Sequence, residues 1–196
     1  FNGKFKINSN NTLYGQLLLD EFLLKEVKAG NGWWANKQGW QVGFKSFDVF
    51  GVKNLYVQGE YNAVRPFTYQ HRDIAGNYGH YRQALAHPLG ANFYEMLGIA
   101  RYEYHQWKLE GKLSYALVGY DTAGRNFGQN IFLPYTTRAF EYGNKIGQGE
   151  QHKIMWATLS ISYEFNPITH FCVFAEASMR NDKSPAKTDN TMLIQG

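Results

Sequence analysis

The sequence predicts an all-β fold, an antiparallel transmembrane β-barrel. Three observations carry that expectation: fine alternation of apolar and polar residues, connections that are short and long in turn, and many aromatics beside few charges. Charged residues are 18% of the chain, against roughly 25% in ordinary soluble domains. Aromatics reach 17%, yet the mean hydropathy is −0.47. Two-faced strands average out in this way, those of membrane barrels included. The 196 residues suffice for one domain with a real core, and 1–196 reads as a single unit.

The strands follow in order. Residues 1–7 read as a partial strand. Residues 12–23 set Leu13, Gly15, Leu17 and Leu19 against Gln16 and Asp20, because side chains alternate between the faces of a strand. "DEFLLKEVKAG" (20–30) could start a helical turn and carries no assigned function. Residues 39–50 set Trp40, Val42 and Phe44 against Gln41 and Lys45, and 54–68 set Leu55, Val57, Tyr61 and Ala63 against Gln58, Glu60 and Asn62. Residues 95–106 set Ala100, Tyr102 and Tyr104 against Arg101, Glu103 and His105, and 111–120 carry Leu113, Tyr115 and Leu117.

The clearest pattern is "IMWATLSISYEF" (154–165). Met155, Ala157, Leu159, Ile161, Tyr163 and Phe165 point one way, and Thr158, Ser160, Ser162 and Glu164 the other. After the turn signal "NPITH", Phe171, Val173, Ala175, Ala177 and Met179 oppose Glu176, Ser178 and Arg180. That pair reads as a hairpin, with Met155, Leu159, Ile161, Val173 and Ala175 toward lipid. A last partial strand spans 191–196.

"NSNN", "GVKN", "KLEG" and "NPIT" read as short links; 24–37, 69–94, 121–151 and 181–190 read as long ones. Outer-membrane barrels have this layout, with tight periplasmic turns and long extracellular loops. Several strands reach the roughly 9–11 residues that cross a bilayer at a tilt, and Tyr, Trp and Phe near strand ends suit interfacial girdles. A soluble β-sandwich or jelly roll also alternates, but it has no reason to keep its long links on one end. The chain opens in mid-pattern at Phe1 and stops at Gly196 with no terminal aromatic. It is therefore expected to be part of a larger barrel, about eight or nine strands of it, and not to close on itself.

Other classes find little support. The net charge is +4 and the pI about 9.0, but the basic residues are scattered, so no nucleic-acid footprint appears. Cys172 is the one cysteine, which excludes an internal disulfide and a CxxC knuckle. No apolar run approaches the roughly 18 residues of a membrane helix.

Candidate chemistry concentrates in the long links. "NYGHYRQALAHPLGANF" (77–93) holds His80 and His87. A metal site would need a third ligand such as His71 or Glu95, and no HExxH spacing is present. Arg101, Glu103 and His105 could suggest acid–base work, but a barrel lumen is ordinarily lined by paired charges. Ser160 and Ser162 lack a nucleophile elbow. Trp33, Trp34 and Trp40 in "GNGWWANKQGW" fit interfacial anchoring or sugar stacking. Residues 128–153 combine Tyr135, Arg138, Glu141 and Tyr142 with Gly and Asn. Aromatic plates beside amide and guanidinium donors suit polyhydroxylated ligands, and they suit a self-packed loop as well.

"EYNAVRPFTYQH" (60–71), "NYGHYRQALAHPLGAN" (77–92), "LPYTTRAFEYGNKIGQG" (133–149) and "FAEASMRND" (174–182) together resemble the Wzi-type capsule-assembly family. The likeness is to its Bacteroidetes branch of RemB-like gliding-motility proteins and runs from about residue 12 to 182. It implies an outer-membrane β-barrel, on the bacterial surface, that binds polysaccharide in a lectin-like way without being an enzyme. Its matching loop positions are Arg65, Tyr69, His71, Asn77, Tyr78, His80, His87 and Asn92, with Tyr135, Arg138 and Tyr142 in the second block. It implies more strands than are present, so the chain would be the C-terminal part of such a barrel. The expected partners are outer-membrane lipid, surface polysaccharide and other outer-membrane, secretion or motility subunits; no cofactor and no nucleic acid are expected. A passive pore for small solutes is the alternative, and a membrane-embedded enzyme a third reading. Loops 69–94 and 121–151 are expected to meet on one rim, with His-Pro-Leu-Gly at 87–90 as a shape-setting turn.

Overall fold

The computed structural model describes residues 1–81, 83–169 and 171–196, so Arg82 and His170 of the quoted motifs lie outside it. The fold is all-β. In chain order the elements are β1 (Asn2–Lys6), β2 (Asn11–Glu21), a short α1 (Leu24–Ala29), β3 (Lys37–Phe47) and β4 (Leu55–Val64). Then come β5 (Gly79–His80), β6 (Gln83–Ala84), β7 (Phe93–Tyr104), β8 (Trp107–Tyr120), β9 (Glu150–Asn166), β10 (Phe171–Lys183) and β11 (Thr188–Gln195). Nine of the strands form one sheet in the order β1-β2-β3-β4-β7-β8-β9-β10-β11, and β5 and β6 make a separate hairpin. Every neighbouring pair is antiparallel. The sheet is open: β1 and β11 are its edges and do not pair with each other.

Short polar side chains shape the turns. Asn8 Oδ1 accepts from the backbone N–H groups of Asn10 (3.0 Å) and Asn11 (2.8 Å). Asp48 Oδ1 accepts from Asn54 N (2.8 Å), and Asn166 Oδ1 from Ile168 N (2.9 Å). Asn and Asp hold turns in this way because their oxygens reach the backbone two or more residues on.

Several boundaries differ from the sequence reading. "KLEG" is not a turn. The reversal falls at His105–Gln106, between the paired Tyr104 and Trp107, with His105 at φ 53°. Lys108 and Glu110 continue the polar row of β8 instead, and Glu110 meets Arg101 across the ladder at 2.7 Å. Residues 181–190 are not a long loop either. Asn181, Asp182 and Lys183 pair with Asn190, Asp189 and Thr188, leaving a link of 184–187 closed by Ser184 N to Lys187 O (2.8 Å). These polar residues looked like loop because both faces of β10 are polar at this end, Asn181 opposite Met155 on one face and Asp182 opposite Ile154 on the other. Lastly, the strands read as 39–50 and 54–68 end at Phe47 and Val64. Asp48 and Phe50 adopt positive φ, as do Phe67 and Tyr69, and this breaks the ladder.

The register sorts the two faces. Leu17 pairs with Trp40, Val42 with Tyr61, and Tyr61 with Met96. Met96 pairs with Tyr115, Leu113 with Ala157, and Ile161 with Ala175. This face is apolar and uncovered: Met96 is 60% exposed, Leu113 53% and Leu159 57%. The opposite face carries Tyr14, Gln41, Glu60, Glu95, Arg101, Glu110, Ser160 and Glu176. Thr158, Ser162, Glu164 and Arg180 lie on it too, as expected.

The core sits at the long-loop end of the polar face. There the row turns apolar, with Val64, Phe93, Ala116, Val118 and Ile154 buried under Tyr69, Ala91 and Ile131 from the loops. A second cluster joins Trp34 and Ala35 to Phe67. The loops, rich in Tyr, Asn and Gly, supply part of it through Tyr69, Ala91 and Ile131. Phe93, Val118, Ala91 and Phe67 are fully enclosed, and the rest nearly so.

Candidate functional site

Loops 22–36, 65–92 and 121–149 knit into one cap over that end of the sheet. The expected meeting of 69–94 with 121–151 is present. Gln70 and Asn126 exchange side-chain hydrogen bonds (3.3 and 3.2 Å), and Gln70 Nε2 also donates to Asn130 O (2.8 Å). Tyr135 N donates to His71 O (3.3 Å), and Ala91 N to Gln129 O (3.2 Å). Loop 22–36 joins through Trp34 N to Glu141 O (3.0 Å) and Gly143 N to Asn31 O (2.8 Å). Buried backbone must be paired, and in this cap Asn and Gln side chains do much of that pairing.

Several expected site residues belong to this scaffold. Asn92, fully buried with φ 61°, donates to Gly119 O (2.6 Å) and Gln148 O (2.8 Å) and accepts from Gly147 N (2.8 Å). Asn77 is buried, accepts from His71 N and donates to Leu133 O (3.3 Å). Arg65 donates to Asn36 O (2.8 Å) and Trp33 O (3.3 Å). His71 lies 3.9 Å from Asp20. Gly90 has φ 74°, its N–H closes the turn on His87 O (2.9 Å), and a Cβ there would meet Gln129 O at 2.6 Å. The His-Pro-Leu-Gly segment is thus the turn expected of it.

Tyr135 and Arg138 form a second group with Trp34. Tyr135 packs on Trp34 at 4.6 Å, and the Arg138 guanidinium lies 4.4 Å from the same indole. Arg138 Nε donates to Glu141 Oε2 (2.9 Å), while Trp33 and Trp34 donate to Glu141 Oε1 (3.2 and 2.9 Å). The Arg138 hydrogen bond, helped by the two indoles and opposed by partial desolvation, holds the Glu141 carboxyl below its usual range. Lys37, fully buried, donates to Gln70 O (2.7 Å), pairs with Glu21 (3.1 Å) and lies 4.5 Å from the Tyr135 ring. It ties the three loops together, and nothing in the local pattern marks it.

Tyr69, Tyr78 and His87 come together elsewhere. They border a cleft of about 300 Å³ between loop 65–92 and the polar face of β2, β3 and β4. The Tyr69 and Tyr78 rings stack at 5.7 Å and 24°. Tyr69 has φ 77°, a conformation costing on the order of 1–3 kcal/mol for a bulky residue. Burial, with Tyr78 and Asp20 adding to it, pushes its hydroxyl up to about 12, so it stays protonated. His87 Nδ1 accepts from Leu89 N (3.2 Å), so Nε2 carries the proton and donates to Glu95 (3.0 Å). Beneath the cleft, Glu60 accepts from Tyr14 (2.6 Å), Gln41 (2.8 Å) and Asn62 (3.0 Å). Glu95 accepts from Asn62 (3.1 Å) and Ser114 (2.8 Å). Tyr14 reaches Glu60 by lying over Gly43, where a Cβ would come within 2.1 Å of its ring. Gln16, Gln41 and Asn62 were read only as polar-face residues. A run of neutral amides on a face otherwise rich in charge was the available signal.

His80 and Tyr142 are exposed, His80 beside Tyr81 at 4.3 Å. Among the described residues no group of three His, Cys, Asp or Glu side chains could hold a metal ion. No helix among them is long and apolar enough to cross a membrane. No family model, no curated protein and no solved structure matches the chain.

Proposed function

We propose that the chain is part of an outer-membrane β-barrel whose loop cap binds bacterial surface polysaccharide without catalysing a reaction. The apolar, uncovered sheet face carries the membrane half of this reading. Charged side chains on that face are confined to its long-loop end, as at Lys153 and Lys183. Trp40, Tyr61, Tyr94 and Tyr115 lie toward that end, and Tyr102, Tyr104, Trp107 and Tyr163 toward the other. From Tyr94 to Tyr104 is about 33 Å of strand at roughly 3.3 Å per residue. At a tilt near 40° this is ~25 Å of height, the apolar band of an outer-membrane barrel. Such a face in water would be an aggregation surface; in lipid it needs no cover.

The polysaccharide half rests on the cap's aromatic and amide chemistry and on the likeness of its loops to the Wzi-type family. Capsule attachment or a role in gliding-motility machinery is the corresponding cellular context. Loop 65–92 folds back onto the polar face through His87 and Glu95, which favours an occluded lumen over a passive pore. The test is retention on an array of bacterial surface polysaccharides by the chain in detergent. Retention of at least one polysaccharide is expected; none, together with steady conductance in planar bilayers, would replace this reading with the pore.

A further inference from the structure

We infer that the cleft between loop 65–92 and the polar face of β2, β3 and β4 binds one or two neutral sugar units, a deepening that rests on the polysaccharide reading above. Its volume of about 300 Å³ lies at the lower end of the roughly 300–1,000 Å³ of small-molecule pockets. It holds polar atoms with no partner among the described residues: the Gln16 side chain, the Tyr69 and Tyr78 hydroxyls, Gln41 Oε1 and Asn62 Oδ1.

The hydrogen bonds below the cleft decide what those atoms offer. Glu60 takes the amide nitrogens of Gln41 and Asn62, and Glu95 takes Asn62 again. The two amides are thereby fixed with their carbonyl oxygens free to accept. The carboxylates themselves are consumed by these partners and by Tyr14, Ser114 and His87. The cleft thus offers neutral acceptors, two phenolic hydroxyls and one free amide. A hydroxyl both donates and accepts, so a ring bearing several hydroxyls meets this set, whereas an anion finds no lysine or arginine among the described residues that line it. Tyr78 is half exposed while its ring stacks on the buried Tyr69, so it presents an aromatic surface to the C–H face of a pyranose. Tyr69 is held in a backbone conformation that bulky residues avoid, and such strain persists where the surroundings impose it.

The experiment uses the full chain refolded in a zwitterionic, sugar-free detergent. Lactose and maltose are titrated in one arm and the anionic sialyllactose in another, read by saturation-transfer NMR. Gln16→Ala and Tyr78→Ala are compared with the parent; both side chains are exposed enough for the fold to survive, which near-UV circular dichroism checks. Weak binding of a neutral disaccharide is expected, with at least a tenfold loss in each variant and no advantage for the anionic sugar. No binding of either neutral sugar, equal binding by folded variants, or preference for sialyllactose would overturn the inference. The same variants on the polysaccharide array separate the two readings. Retention unchanged in both variants removes the cleft but leaves the polysaccharide function, and no retention by the parent chain removes both.

Discussion

Lys37 shows how one side chain can hold a loop assembly. It is fully buried and bridges Glu21 on β2, the Gln70 carbonyl and the Tyr135 ring. Replacing it leaves the Gln70 carbonyl without its donor, while the partly exposed Glu21 carboxylate turns to water. Lys37→Met is therefore expected to loosen the cap by about 1–3 kcal/mol, seen as faster amide exchange in 65–92 and 121–149 with the sheet unchanged. Unaltered exchange would show that the loops do not depend on this contact. Glu141 gives a pH effect of definite sign. Its carboxyl is held below the ordinary value of 4.5 by Arg138, Trp33 and Trp34. A depressed acid contributes stability above its unfolded pKa and loses it as pH falls through its folded one. Fluorescence from Trp33 and Trp34 is expected to change as the pH is lowered below about 4.5. Glu141→Gln should abolish that transition; its persistence would assign it to another group.

At the scale of elements, the hairpin β7–β8 turns in two residues with a histidine at positive φ. Glycine adopts that conformation without a Cβ penalty, so His105→Gly is expected to stabilise the hairpin by roughly 0.5–1 kcal/mol. The urea midpoint for unfolding from lipid vesicles measures it, and a lower midpoint would mean that the His105 ring, 4.4 Å from Tyr104, matters more than the backbone. Strand β9 offers a paired test of sidedness. Leu159 pairs with Gly111 and Ala177 on the apolar face, and Ser160 with Glu110 and Glu176 on the polar one. If the apolar face meets lipid, Leu159→Arg impairs assembly by about 2–4 kcal/mol at mid-bilayer, and Ser160→Arg far less. Equal effects in lipid would sink the membrane reading. Strand sides follow from period-two alternation and were legible in the sequence. The turn after Tyr104 was not, since a glycine among charges at 108–111 looks the same in a turn and in a lumen-facing strand.

For the whole molecule the open sheet has a consequence of parity. Nine strands paired antiparallel in sequence make β1 and β11 run in the same direction. Direct closure would pair them in parallel. An antiparallel closure takes an odd number of added strands, from the same chain or another, and the total is then even, as in bacterial barrels. Unpaired edges are templates for further pairing and are costly in lipid. The chain refolded alone is therefore expected to associate through β1 and β11, with amide exchange there slowed only in the associated form. A monodisperse monomer with protected edges would mean that they are satisfied in another way.

Alternation in 12–23, 154–165 and 171–180 was enough to predict the all-β class and which residues share a face; the order of the nine strands came from the structure. A strand has period two and only neighbouring hairpins to form, so local pattern determines register once one face is apolar. The cap was not determined in this way. Asn92, Asn126 and Lys37 look like ordinary loop polars, and their burial depends on partners 27 to 56 residues away in sequence. Tyr69 and Tyr78 stood out as aromatics, but only the fold places them across from Gln16 and Asn62 on strands β2 and β4. Side-chain periodicity is written locally along the chain. The meeting of loops is decided by which buried amides find carbonyls once the sheet has brought the strand ends together.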